Sequence, residues 1–172
     1  IIHNPQMVEK LKAKSVGVVE EPGELPRGGR MVVSAYGAPR QAYEEAAAKG
    51  IQVIDTTCPY VTRGHKLVEQ LLQDGYGIVI VGDRGHQEVE GLLGFCGGKG
   101  QVISTAQEAH AIRRLGKVGV VVQTTQRIEN FKAVVAVLME KARELRIFNT
   151  ICQPTLDWQE ACHELAGNVD AM

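Results

Sequence analysis

The sequence has few aromatic residues, 5% of 172, and no apolar run near the roughly 18 residues a membrane-spanning helix needs. Scarce aromatics exclude a base-stacking surface of the kind that holds single-stranded nucleic acid. An excess of either charge is lacking too. The 19 lysines and arginines are scattered among 20 aspartates and glutamates, so no basic stripe answers a phosphate backbone. Neither a nucleic acid nor a membrane is an expected partner. Cysteine is sparse: 4 residues with no CxxC pair make neither a disulfide scaffold nor a zinc finger. No charged-then-apolar leader is recognised at the start, and a cytoplasmic location is the expectation. With 44% hydrophobic residues, the chain has enough apolar surface for a packed core.

What the sequence does have is a repeated stretch. Asp55-Thr56-Thr57-Cys58-Pro59 returns, loosened, as Asn149-Thr150-Ile151-Cys152-Gln153-Pro154. Each copy follows a short apolar run of strand character, over 51–54 and 145–148, and each precedes residues at helical spacing. Each cysteine is therefore expected between a strand end and a helix start. The similarity reaches further back. Before Cys58 come a strand over 31–34, the loop Ala35-Tyr36-Gly37 and a helix over 39–49. Before Cys152 come a strand over 118–122, the loop Gln123-Thr124-Thr125 and a helix over 126–144. The separation suits one small α/β lobe repeated.

Elsewhere, Asn4 and Pro5 suit the cap and first residue of a helix over 5–14. A strand over 16–19 follows. After Cys58, Val61, Leu67, Val68, Leu71 and Leu72 form one apolar stripe on a helix ending near Gly75. A strand over 77–81 leads into a polar loop over 82–91, at the kind of strand end where open α/β sheets place ligands. A short strand over 101–103 and a helix over 105–113, capped by Ser104 or Thr105, complete the pattern. Alternating strands and helices predict an α/β fold with parallel sheets flanked by helices. Three segments are expected: a first lobe over 1–57 lacking its N-terminal part, a middle lobe over 58–150, and the truncated start of a third lobe over 151–172.

Cys58 and Cys152 are the first candidates for chemistry, since the unpaired N–H groups of a helix start favour a thiolate, which binds iron or zinc. Buried structural cysteines are the alternative. Cys96 and Cys162 lack this context and read as packing residues. Clusters and structural metals take three or four protein ligands, so a third is expected outside the chain. His3, His86, Glu88 and Thr124 stand at loop positions where an imidazole can meet an anion and a carboxylate with a hydroxyl can relay protons. Capping or surface roles are the alternative for each. His65, His110 and His163 read as solvated or half-buried side chains.

Six ordered strings resemble the 4-hydroxy-3-methylbut-2-enyl diphosphate reductase (LytB/IspH) family. They are Ile2-His3-Asn4-Pro5-Gln6, Ser34-Ala35-Tyr36-Gly37, Asp55-Thr56-Thr57-Cys58-Pro59-Tyr60-Val61-Thr62, Gly85-His86-Gln87-Glu88-Val89-Glu90-Gly91, Gln123-Thr124-Thr125 and Asn149-Thr150-Ile151-Cys152. The resemblance implies a pseudo-threefold trefoil of α/β lobes around a central 4Fe-4S cluster, incompletely covered by this chain, with Cys58 and Cys152 as metal ligands. It implies an oxidoreductase that converts the allylic diphosphate to isopentenyl and dimethylallyl diphosphates. An electron donor such as ferredoxin or flavodoxin is implied with it. By motif position, His3, Tyr36 and His86 would bind substrate. Glu88 would deliver protons, and Thr124 would position that relay and touch substrate. Tyr36 stands where the family usually has histidine, and Gln87 where it usually has proline. A paralogue acting on another substrate, or serving as a sensor or electron-transfer scaffold, is the alternative expectation.

Overall fold

The computed structural model describes residues 5–113 and 115–171. Helix α1 (Pro5–Lys12) and a 3-10 turn (Pro22–Glu24) lead into β1 (Arg30–Val33), α2 (Arg40–Ala48) and β2 (Gln52–Asp55). Then come α3 (Pro59–Gln73), β3 (Gly77–Val81), α4 (Gln87–Phe95), β4 (Gln101–Ile103) and α5 (Ala106–Ala111). The remainder comprises β5 (Leu115–Val122), α6 (Ile128–Lys141), β6 (Ala142–Ile147) and α7 (Gln153–Ala166). Strands β1 and β2 form a parallel pair in which Val33 faces Asp55. The other four lie in the order β4-β3-β5-β6, all parallel.

The pleat sorts the larger sheet's side chains between two layers. Val79, Val81, Val118, Val120 and Val122 pack with Phe131, Val134 and Leu138 of α6. Ile78, Ile80 and Val121 face the opposite way, onto Val68 and Leu71 of α3 and Val89 and Leu92 of α4. Both faces of β3 and β5 are thus covered, which explains their unbroken apolar composition. Gly119 sits on the α3 side because Leu71 occupies the space: a Cβ there would lie 2.5 Å from Leu71 Cδ1. Gly119→Ala is expected to destabilise the fold by about 1–3 kcal/mol through overpacking, read as a lowered denaturant midpoint.

Three expectations are corrected. Residues 16–19 form no strand; Val16 and Val18 are 44% and 60% exposed, and no strand among the described residues pairs with them. The helix expected over 126–144 stops at Lys141, and β6 begins at Ala142. Its Ala-Arg-Glu-Leu start is helix-forming by propensity, but parallel pairing with β5, Lys117 opposite Glu144, overrides that preference. Lys117 Nζ also lies 3.1 Å from a Glu144 carboxylate oxygen, and Tyr76 donates its hydroxyl to the same side chain. The polar loop expected over 82–91 is a loop only to Gly85, since His86 caps α4 and helix begins at Gln87.

Candidate active site

Every described candidate residue lies at or just beyond the carboxyl end of a parallel strand, where strands hand over to helices. The two cysteine loops share three hydrogen bonds. Asp55 Oδ1 accepts the Thr57 N–H at 2.8 Å, and Asn149 Oδ1 accepts the Ile151 N–H at 3.1 Å. Two residues before each cysteine, a threonine hydroxyl donates to the last carbonyl of the neighbouring strand, Thr56 to Val33 and Thr150 to Val122. Each cysteine N–H then bonds the carbonyl two residues further along that neighbour, Cys58 to Ala35 at 2.9 Å and Cys152 to Thr124 at 3.0 Å. The repeated residues are therefore repeated turns, each delivering a cysteine to the N-cap position of a helix, α3 or α7. Neither sulfur is consumed as a cap. Both side chains are half-buried, and Cys152 Sγ lies 2.8 Å from Thr155 Oγ1.

A chain of contacts joins the two loops. The carbonyl of Ala35 holds Cys58, and the next residue, Tyr36, meets His86 edge to face with ring centroids 5.2 Å apart. His86 Nδ1 accepts the Glu88 N–H at 3.2 Å, which leaves Nε2 as the ring's donor in this arrangement. Glu88, in the first turn of α4, in turn reaches across to the loop that follows β5. Its Oε1 accepts the Thr124 N–H at 2.7 Å, and its Oε2 accepts the Thr124 hydroxyl at 2.6 Å. The Thr124 carbonyl closes the circuit on Cys152. Gln123 braces this corner, accepting the Asp83 N–H at 2.9 Å and donating to Thr125.

Glu88 is 2% exposed. Burial raises its carboxyl above the ordinary value of 4.5, and the Thr124 hydrogen bonds and the nearby His86 oppose that rise only in part. A carboxylic acid moved toward neutrality and hydrogen-bonded to a hydroxyl is equipped to hold and release a proton.

The structure thus brings Tyr36, His86, Glu88, Thr124, Cys58 and Cys152 into one connected set. His3 lies outside the described residues. Among those described, no three His, Cys, Asp or Glu side chains converge as a metal site. Cys96 keeps its packing role: it is buried, donates to the Leu92 carbonyl at 3.1 Å, and burial pushes its thiol up to about 11. Cys162 is exposed on α7, which corrects its reading as a packing residue. A cleft of about 470 Å³ opens behind the Cys58 loop, between α2 and α3, and none of its lining residues is a predicted site residue. His65 corrects the reading of a solvated or half-buried side chain: it is 5% exposed and stacked on Phe95 at 4.2 Å. Its place on α3, between Val61 and Val68 on the apolar stripe, was the available signal.

The description "LytB protein" belongs to a family model that matches residues 1–172. The 4-hydroxy-3-methylbut-2-enyl diphosphate reductases of Geotalea uraniireducens and Geobacter metallireducens are each 40% identical to the chain over 172 residues. The match takes in 100% of the chain and 61% of each relative, so the chain spans about three-fifths of their length. A solved (E)-4-hydroxy-3-methyl-but-2-enyl diphosphate reductase superposes with a TM-score of 0.78 at 41% identity, over 99% of this chain and 61% of that one. The Plasmodium falciparum reductase gives a TM-score of 0.87 over 98% of this chain and 54% of its own, at 24% identity, which is a likeness of fold alone. The expected α/β architecture with parallel sheets, a partial trefoil, agrees with both superpositions. With its whole length matched, its cysteine turns duplicated and its fold shared, the chain belongs to the LytB protein family.

Proposed function

We propose that this chain forms most of an iron-sulfur reductive dehydratase that converts 4-hydroxy-3-methylbut-2-enyl diphosphate to isopentenyl and dimethylallyl diphosphates in the non-mevalonate isoprenoid pathway. The contact chain from Cys58 through Tyr36, His86, Glu88 and Thr124 to Cys152 carries this reading, because it links two sulfur-bearing turns to a buried proton-holding pair. The names of the relatives support the substrate. Residues 1–57 act as part of a first lobe, 58–150 as the middle lobe and 151–172 as the start of a third. The enzyme works in the cytoplasm and draws electrons from a donor such as ferredoxin or flavodoxin.

The two cysteines fit a 4Fe-4S cluster in donor type and setting. Both sulfurs are half-buried, free of capping duty and mounted on equivalent rigid turns, and the remaining cysteine ligand comes from sequence outside this chain. When bound, such a cluster would supply electrons and Lewis-acid character toward the substrate's hydroxyl group. The chain's own residues do the rest. His86 offers its Nε2–H to the diphosphate at the N-terminus of α4, where the helix dipole also favours an anion. His3 and the Tyr36 hydroxyl extend that binding. Once protonated, Glu88 turns the Oε2–Oγ1 bond round and donates to Thr124 Oγ1, which frees the Thr124 hydroxyl proton, now given to Oε2, to face the substrate. As the substrate's C–O bond breaks, Thr124 gives its hydroxyl proton to the departing oxygen and takes the Glu88 proton in return. Water leaves, and the allylic fragment gains two electrons and a second proton to become product.

Tyr36 favours a second reading, because its ring carries no positive charge at neutral pH. A paralogue acting on another substrate, or a sensor or electron-transfer scaffold, would keep the cluster and ignore this diphosphate. The full-length protein, purified without oxygen, separates the two. The enzyme reading predicts about four irons per chain, an absorption change on adding the allylic diphosphate, and tighter binding in Tyr36→His. A folded, colourless, iron-free protein overturns both readings. An iron-loaded protein whose spectrum ignores the diphosphate overturns the first and supports the second.

A further inference from the structure

One buried side chain-bearing nitrogen lacks a partner among the described residues: Nε2 of His65. Buried polar atoms are almost always paired, and an orphan costs about 1–3 kcal/mol, so its retention calls for a cause. Its surroundings supply one. His65 lies two turns along α3 from Cys58, with its ring stacked on Phe95 of α4 at an interplanar angle of 18°. The ring lies tight against two neighbouring segments. A Cβ on Gly37 would lie 2.8 Å from His65 Cε1, and one on Gly91 would lie 3.3 Å from His65 Nε2. Gly37 has φ +78°, in the left-handed region that favours glycine, in the loop that carries Tyr36. The Tyr36 carbonyl oxygen lies 3.7 Å from that same Gly91 Cβ position. Nε2 and the Tyr36 carbonyl thus flank one small space, kept open by the absence of a side chain at Gly91.

We propose that His65 is a positioning residue: its ring sets the Tyr36–Gly37 loop against α4, and its Nε2–H is the donor that the Tyr36 carbonyl takes when a bound anion draws that loop inward. The inference rests on the anion-binding role proposed for Tyr36 and His86. The imidazole suits a latch because it stays uncharged through the neutral range. Burial lowers its pKa to about 4 against the opposing influence of Asp55 on β2. The cleft beside it also presents Arg40 and Glu44 from α2 and Lys66 and Glu69 from α3, with Tyr43 and Asp55. Arg40 is engaged by both Glu44 and Glu69.

The test uses the full-length protein, inorganic pyrophosphate as the anion probe, and three variants. His65→Phe keeps the stack on Phe95 and removes the nitrogen. His65→Gln returns an N–H near the place of Nε2. Gly91→Ala fills the space between donor and carbonyl. His65→Phe is expected to melt no lower than the parent, while pyrophosphate affinity falls about tenfold, as loss of positioning would give. Pyrophosphate should also cease to slow amide exchange over residues 34–38. His65→Gln is expected to recover most of the affinity, which a role in packing alone would not produce. Gly91→Ala should share the loss, and decides the matter if His65→Phe does not fold. Pyrophosphate binding by His65→Phe within twofold of the parent, with the same protection over 34–38, overturns the proposal. If the parent itself binds no pyrophosphate, the anion-site reading fails separately. The loop-setting role is then judged without ligand by a fourth variant, His65→Ala, which removes the ring: faster exchange over 34–38 supports it, and equal exchange overturns it.

Discussion

Replacing Glu88 with glutamine in the full-length protein is expected to lower turnover of the allylic diphosphate by about 100- to 10,000-fold, the usual worth of a positioned acid–base group, with fold and iron content unchanged. Glutamine is nearly the same size, and its carbonyl oxygen can accept the Thr124 N–H that Glu88 Oε1 accepts at 2.7 Å. Its amide can donate to Thr124 Oγ1, reversing the bond that Oε2 now receives. What disappears is the transferable proton. Stability gives an independent readout whose sign follows from burial. The folded protein raises the Glu88 carboxyl above its ordinary 4.5, so ionisation is harder in the folded state than in the unfolded one. The resulting penalty is absent below pH 4.5, grows as pH climbs toward the raised value and is complete above it. Glutamine does not titrate. The stability of Glu88→Gln relative to the parent should therefore rise with pH across that window and level off above it, as denaturant unfolding at a series of pH values will show. A variant equally active, or one whose relative stability falls with pH, contradicts the role assigned to Glu88.

The second large effect concerns iron. Cys58→Ser and Cys152→Ser, each made in the full-length protein and reconstituted without oxygen, are expected to retain at least about tenfold less iron than the parent. Disturbing only the groups around a metal ligand already costs about 10- to 100-fold in affinity, and losing a ligand costs more. Both apoproteins should fold. The bonds that build each turn come from the backbone and from Asp55, Thr56, Asn149 and Thr150, and the sulfurs take no part in capping. Cys162→Ser is the control: its side chain is exposed on α7 and should leave iron unchanged. Far-UV circular dichroism separates loss of fold from loss of iron. Full iron in either cysteine variant at the turns removes that cysteine from the ligand set.

Much of this was legible in the sequence because strand ends and helix starts carry local marks. The bounds of β3 follow from a short apolar run between Gly77 and Gly82 and those of β4 from a run between Gly100 and Ser104, and the duplicated cysteine turns follow from the Asp-Thr-Thr-Cys and Asn-Thr-Ile-Cys strings. The pairing of Glu88 with Thr124 is another matter. It depends on β3 lying beside β5 with β4 sent to the edge, a crossover that no local pattern records. Helix α4 was hidden by Gly91 and Gly94, which lower helix propensity. Packing requires Gly94, where Pro39 Cβ would sit 2.6 Å from an added methyl group, and favours Gly91, where the His65 ring would lie 3.3 Å away. The strand expected over 16–19 failed for the opposite reason: valines supplied the propensity, but a strand needs a neighbour.

The central claim is that the two cysteine turns and the Glu88–Thr124 pair serve one reductive site. Product analysis by chromatography tests it most directly, using the full-length, iron-loaded protein with reduced ferredoxin or flavodoxin and the allylic diphosphate under anaerobic conditions. The account predicts conversion to isopentenyl and dimethylallyl diphosphates. Unchanged substrate, in a sample holding about four irons per chain and supplied with a competent donor, would contradict it.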